Sequence, residues 1–186
     1  RALTFDPNTT NKVWAGSVTG GLWFNNDITN GASQWQRVND FWSNISISAI
    51  AFDPNNSQTI YVGTGEGFGV GDSKGAGIWK STDGGSTWNQ LSSTVNYAYV
   101  QDLITRNESG TTAVYAAVGQ YNYNGQWFGN SQGLFKSSNG GTSWTEVMPS
   151  AGSDNHVPAD LELDGNNNIW VGTKTNSYGE GGGKVM

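Results

Sequence analysis

A repeat of about 50 residues constrains the fold of this chain more than any other feature of its sequence. Four similar passages begin at Ala2, Ala49, Asp102 and Asp160. Each continues with a short β-branched and aromatic segment, and these segments span 13–16, 60–63, 114–119 and 169–172. A unit of this length fits one four-stranded blade of a β-propeller and is longer than an ankyrin or leucine-rich repeat.

Each unit then supplies a third segment after a Gly-rich loop, and two units add a hairpin and a fourth segment. The third segments are 21–24, 77–80, 133–136 and 183–186, the hairpins 81–88 and 137–144, and the fourth segments 89–91 and 145–147. We therefore predict an all-β fold, a β-propeller of four-stranded blades with about three and a half blades present. The predicted blades are 1–44, 45–97, 98–156 and 157–186, the last one incomplete.

The two hairpin octapeptides have the composition of a tight turn followed by a tryptophan. Their defining residues are Ser81, Asp83, Gly85 and Trp88 in the first and Ser137, Asn139, Gly141 and Trp144 in the second, with a lengthened copy at 25–35. Short polar side chains in such turns bond nearby backbone amides. The pattern resembles the Asp-box (BNR-like) repeat of sialidase-type propellers, the sortilin family and xyloglucan-hydrolysing glycosidases. The resemblance implies a structural role for these hairpins, and a ring that further blades of the same propeller or a partner fragment complete.

Composition excludes several classes of partner. The net charge is -6, and the nine Lys and Arg residues are spread singly, so the chain has no basic stripe for nucleic acid. It has no cysteine and no apolar run long enough to form a membrane span. We expect a secreted or cell-surface protein of bacterial origin, since its turn-rich style resembles propellers exported by Bacteroidetes-type bacteria.

Aromatic residues are concentrated in the segments expected at one end of the propeller. In such a fold, one face of the propeller, which we call the upper face, carries the connections between blades and the loops 63–77, 119–133 and 172–183. The candidate ligand-binding residues there are Trp42, Phe68, Tyr97, Tyr99, Tyr121, Tyr123, Trp127 and Phe128, with Phe41 and Tyr178 nearby. Rings among Asn, Gln and Gly suit a sugar surface, so we predict binding of a polysaccharide or other glycan. One alternative is that the rings only anchor the loops to the rest of the fold. Another is that the chain is a protein-binding scaffold or adhesin.

Two aspartates are the candidates for catalysis, because glycoside hydrolysis requires a pair of carboxyl groups. Asp102 and Asp160 open inner strands at equivalent positions, and Glu66 and Glu180 lie in upper loops. The alternative is that both aspartates cap strands by bonding backbone amides. Whether the chain is an enzyme stays open; if it is, the resemblance implies a glycoside hydrolase of the xyloglucanase type.

The sequence lacks the residues that several other kinds of functional site need. The arginines Arg1, Arg37 and Arg106 do not form the arginine motif of sialidases, so we do not expect that activity. His156 is the only histidine, the glycine-rich segment 63–69 does not have phosphate-binding spacing, and the acidic turns match no calcium loop. We predict neither a metal site nor a cofactor.

Overall fold

The computed structural model describes residues 2–38, 46–67, 73–119, 121–123, 126–128, 131–149, 156–175 and 183–186, with the backbone alone at 121–123, 126–128 and 149. The strands are β1 (Ala2–Phe5), β2 (Val13–Ser17), β3 (Gly21–Asn25), β4 (Gln36–Arg37), β5 (Ile47–Phe52), β6 (Ile60–Thr64), β7 (Ile78–Ser81), β8 (Asn89–Gln90), β9 (Tyr99–Glu108), β10 (Thr111–Gly119), β11 (Tyr121–Tyr123), β12 (Gln126–Phe128), β13 (Gly133–Ser137), β14 (Thr145–Pro149), β15 (Val157–Leu163) and β16 (Ile169–Lys174). A single 3-10 turn spans Ser92–Thr94.

The strands form successive antiparallel sheets, as the repeat predicts. Three sheets have four strands each, in the orders β1-β2-β3-β4, β5-β6-β7-β8 and β9-β10-β13-β14. A fourth pairs β15 with β16, and Val185 continues it through a bridge to Gly172. The first strands lie side by side, since β5 contacts β1 and β9, and β9 contacts β15. Within the described ranges no helix has the length and apolar character needed to cross a membrane.

The hydrophobic core is divided into layers between neighbouring sheets. Trp14, Ile47 and Val62 belong to the layer between the first and second sheets. Tyr61, Val100 and Val114 belong to the next, and Tyr115 and Leu161 to the layer between the third and fourth. Each sheet is thus buried by its neighbours in the chain, which is how propeller blades are stabilised.

The inner strand β1 has an apolar face that no described residue covers. Leu3 is 72% exposed and Phe5 is 66% exposed. At the position of Leu3, the later sheets carry Leu103 and Leu161, which are 3% and 2% exposed because each packs in the layer shared with the preceding sheet. The face of β1 is therefore shaped like the faces that receive a neighbouring blade.

Two β-hairpins share one set of side-chain bonds. In the first, Ser81 Oγ donates to Asp83 Oδ1 at 2.8 Å and accepts from the Gly85 amide at 2.9 Å. In the second, Ser137 Oγ donates to Asn139 Oδ1 and accepts from the Gly141 amide, both at 2.9 Å. Asparagine thus replaces aspartate without changing these bonds, because its carbonyl oxygen accepts as a carboxylate oxygen does.

Replacing Ser81 by Ala should lower the free energy of unfolding by about 1–2 kcal/mol, because it leaves the half-buried Gly85 amide without its acceptor. Ser81 itself is 1% exposed. The exposed Ser86, whose hydroxyl donates to the Asp83 carbonyl, is the matched control, and Ser86→Ala should cost less. Urea denaturation of both variants checks this, and equal losses would contradict it.

Candidate functional site

Three inner strands carry a β-bulge at the same position. In β5 the register passes from Ile47 to Ala49 and skips Ser48. The equivalent skipped residues are Gln101 in β9 and Ala159 in β15. A bulge bends the strand and redirects the extra residue, and bulges are common beside functional sites. In these three blades, one redirected residue therefore lies at the end where the inner strand begins.

These three residues meet in one cavity, which we call the upper pocket. It has a volume of about 210 Å³, and its lining comes from all four sheets and their loops: Val18, Ser48, Gly65, Glu66, Gln101, Asp102, Ala159 and Asp160. This is smaller than the ~300–1,000 Å³ typical of small-molecule sites. The upper pocket could therefore hold part of a larger ligand, such as one unit of a polymer.

Asp102 links the third sheet to the fourth. Its Oδ1 accepts from the Leu103 amide and its Oδ2 from the Leu161 amide, both at 2.8 Å. The pKa of Asp102 is raised to about 6: burial is the main cause, the carboxylates of Asp160 and Glu162 add to the rise, and the two amide bonds oppose it. Asp102 thus bonds two backbone amides, as the strand-capping alternative expects, and its carboxyl group has a raised pKa.

Asp102 should make the unfolding free energy depend on pH between about 4 and 6. In that range the folded protein holds a proton on Asp102 that the unfolded chain, with a pKa of 3.8, has released. The contribution of Asp102 to the free energy of unfolding is fully present at a pH below its pKa in the unfolded chain. It is lost as pH rises through its pKa in the folded protein, a decrease of up to about 3 kcal/mol.

The variant Asp102→Asn carries no titrating group at this position and serves as the reference. We expect the difference in unfolding free energy, wild type minus variant, to fall steadily as pH rises from about 4 to 7 in urea titrations. A pH-independent difference, or one that grows with pH, would show that the carboxyl group of Asp102 is not held in this environment.

The other two carboxylates are more accessible. Asp160 occupies the register position of Asp102, opposite Gly172 and directly after the bulge, and it is exposed. Glu66 follows β6 and is half-buried, with its backbone bridged to Ser73. The upper pocket thus brings together three of the carboxylates named from the sequence, Asp102, Asp160 and Glu66. Within the described ranges, no group of three or more His, Cys, Asp or Glu side chains is arranged to hold a metal ion.

Two of the candidate ligand-binding rings are in the interior, which corrects the expectation that they face a ligand. Tyr97 is 5% exposed and its ring lies 4.9 Å from that of Phe135 and 6.0 Å from that of Trp144. Tyr99 is 2% exposed, because β9 begins there, inside the segment expected to be a connection. Both rings stabilise the fold, which is the loop-pinning alternative.

The remaining candidate rings lie either outside the described residues or in strands that are described by their backbone alone. Trp42 and Phe68, like Phe41 and Tyr178, lie outside the described residues. Tyr121, Tyr123, Trp127 and Phe128 belong to an extra two-stranded sheet, in which Tyr121 pairs with Phe128 and Asn122 with Trp127. The sequence contains a signal for it, since Asn124-Gly125 is the dipeptide most typical of a two-residue hairpin loop.

Comparison with known proteins finds xyloglucanases among the proteins that the chain resembles. No family model matches the chain. It is 27% identical to a xyloglucanase of Hypocrea jecorina across 97% of this chain and 22% of that protein. It is 31% identical over 90 residues to an oligoxyloglucan-reducing end-specific xyloglucanase of Emericella nidulans, covering 46% of this chain and 10% of that protein. The chain thus spans about a fifth of the first relative's length and a smaller part of the second.

Solved structures agree on the architecture. The GH74 enzyme of Niastella koreensis superimposes with a TM-score of 0.64 and 23% identity, over 99% of this chain and 27% of that one. At this identity the likeness establishes the fold alone. Together with the four sheets, it confirms the prediction of an all-β, partial β-propeller.

Proposed function

We propose that this chain is part of a secreted or cell-surface propeller that binds a polymeric glycan at the upper pocket and the loops around it. The observation that carries the proposal is the convergence of three equivalent bulges on one polar cavity. Carboxylates and an amide from different blades are suited to bond sugar hydroxyls. The two curated relatives are named for acting on xyloglucan or its oligosaccharides, which makes xyloglucan the first polymer to test.

The proposal includes an architecture for the rest of the ring. The hairpins at 81–88 and 137–144 serve as Asp-box turns that hold the blades, at a distance from the ligand. A further blade of the same propeller packs on the exposed face of β1 around Leu3 and Phe5, as the described blades pack on one another. The bacterial, Bacteroidetes-type origin belongs to the same proposal and rests on sequence style alone.

Polysaccharide binding tests the function. We expect the protein to bind xyloglucan in a panel that also contains cellulose and mixed-linkage β-glucan, and Trp127→Ala on β12 to weaken binding about 10-fold or more. Trp170→Ala removes an exposed tryptophan from β16 and should leave binding unchanged. A folded protein that binds no polysaccharide would contradict the proposal and favour the protein-interaction scaffold.

A second candidate function is glycoside hydrolysis, favoured by the raised pKa of Asp102 beside the exposed carboxylate of Asp160. A buried acid with a raised pKa and a second carboxyl group are the pair that such a reaction needs. Asp102 would first have to release one of its two backbone amides. Reducing ends released from xyloglucan, and their loss in both Asp102→Asn and Asp160→Asn, would support this activity. Binding without release would exclude it for these polymers.

A further inference from the structure

Asparagine precedes glycine at two places in the described part of the chain. One pair, Asn30-Gly31, lies in the loop 25–35, where both residues are exposed, and the other is Asn139-Gly140 in the second hairpin. A third pair, at 124–125, lies outside the described residues. Asparagine is chemically labile, because the next backbone nitrogen can attack its side-chain carbonyl carbon, and a glycine there has no Cβ to obstruct the approach. The two described pairs therefore share a local chemistry and differ only in how the fold holds them.

The attacking nitrogen is accessible at the first pair. The Gly31 amide makes no hydrogen bond to a described residue, and nothing lies within 4 Å of the position of a Gly31 Cβ. Among the described residues, the side chain of Asn30 has one partner, the Ala32 amide, which donates to its Oδ1 at 3.0 Å. That bond draws electron density from the carbonyl carbon that the Gly31 nitrogen would attack. Only one hydrogen bond therefore has to rearrange for the ring to close at Asn30.

Asn139 has a more constrained side chain. Its Oδ1 accepts from Ser137 Oγ at 2.9 Å and from the Ser143 amide at 3.0 Å, and its Nδ2 donates to Ser143 Oγ at 2.8 Å. The Gly140 carbonyl also accepts from Lys80 Nζ of the second sheet at 3.1 Å. To cyclise, Asn139 must turn away from all of its partners while Gly140 stays bound to the neighbouring blade. The hairpin thus protects Asn139, since such a reaction requires local opening first.

We propose that Asn30 is a site of spontaneous deamidation and that the fold protects Asn139 from the same reaction. The Gly31 amide nitrogen loses its proton to hydroxide and bonds to Cγ of Asn30, and the Cγ–Nδ2 bond breaks to release ammonia. Water then opens the resulting succinimide at either carbonyl, which gives aspartate or isoaspartate. Each event replaces a neutral amide by a carboxylate and adds one negative charge to the chain.

The loop that carries Asn30 lies at the end of the first blade opposite the upper pocket. The Ile28 amide donates to the carbonyl of Asn11, which follows the inner strand β1, whereas the upper pocket lies where the inner strands begin. The reaction therefore changes the surface charge without involving the proposed ligand site. The inference is independent of the proposed function.

Peptide mapping by mass spectrometry tests the proposal after incubation of the folded protein at mildly alkaline pH. Trypsin cleaves after Lys and Arg, so Asn30 falls in the peptide 13–37 and Asn139 in the peptide 137–174. We expect aspartate and isoaspartate to accumulate about 10-fold or more faster at Asn30, because Asn139 has two further hydrogen bonds to break. Gly31→Ala should slow the reaction at Asn30 and leave that at Asn139 unchanged. The new Cβ obstructs the attack, and the fold accommodates it because Gly31 does not have a positive φ.

Urea separates the effect of the fold from that of the local sequence. In the unfolded chain both asparagines lose their partners, so the two rates should become similar. Asn30→Gln should abolish the acidic form of the peptide 13–37, which assigns the reaction to this residue rather than to Asn25 or Asn26. Similar rates in the folded protein, faster reaction at Asn139, a ratio of rates that urea does not change, or an acidic peptide that persists in Asn30→Gln would overturn the proposal.

Discussion

Trp14→Ala is expected to lower the free energy of unfolding by about 3–5 kcal/mol, the range for removing a large buried aromatic side chain. Trp14 is 1% exposed, and its Nε1 donates to Asp6 Oδ2 at 2.9 Å. Its ring lies 5.2 Å from that of Phe24 in its own sheet and 6.5 Å from those of Phe52 and Trp88 in the next. The loss would open a cavity between two blades, in a fold whose total stability is typically about 5–15 kcal/mol.

The chain provides its own control for this variant. Trp170 occupies the same position of the repeat in β16, yet it is 49% exposed and its Nε1 bonds Asp164 at 3.1 Å. Trp170→Ala should cost about 1 kcal/mol or less, because little buried surface is lost. Denaturant titrations of the two variants measure the difference. Similar losses would mean that the first two blades do not pack as the structure has them.

Gly77→Ala is expected to be nearly as disruptive, at about 2–5 kcal/mol. Gly77 has a φ of 72°, and a Cβ there would overlap the backbone carbonyl of Thr94. A left-handed residue other than glycine costs about 1–2 kcal/mol, and overpacking adds about 1–3 kcal/mol. The backbone cannot move away easily, because the Gly77 amide donates to the Tyr97 carbonyl and its carbonyl accepts from Thr64.

Gly110 allows the conformational cost of such a substitution to be measured apart from the cost of overpacking. It has a φ of 86°, but nothing lies within 4 Å of the position of its Cβ. Gly110→Ala should therefore show only the conformational cost, about 1–2 kcal/mol. Thermal and urea unfolding of both variants checks the prediction. It fails if Gly110→Ala is as destabilising as Gly77→Ala.

The blade architecture could be predicted from the sequence because each strand is signalled locally. The segments 13–16 and 60–63 are short, β-branched and bounded by turn residues, and they form β2 and β6. Their recurrence at a fixed period gives the order of the strands, and the propeller follows from it. The turn bonds of Ser81 and Asp83 were predictable for the same reason, since they join residues two to four positions apart.

The upper pocket could be predicted only in part. The sequence indicates that Asp102 and Asp160 are equivalent, but the bulges depend on the register between two strands, and nothing within one strand marks them. Gln101 was missed for this reason. The burial of Tyr97 likewise depends on Phe135 and Trp144, which lie far along the chain. The local sequence around Tyr97 therefore does not distinguish a buried ring from one that faces a ligand.

The claim that a glycan binds at the upper pocket is tested most directly by amide hydrogen exchange with and without xyloglucan. The account predicts slower exchange in the segments 63–67, 98–102 and 157–161, which carry most of the lining of the upper pocket. Exchange in the hairpins 81–88 and 137–144 should not change. Protection confined to those hairpins, or absent from the segments that line the pocket while xyloglucan is bound, would contradict it.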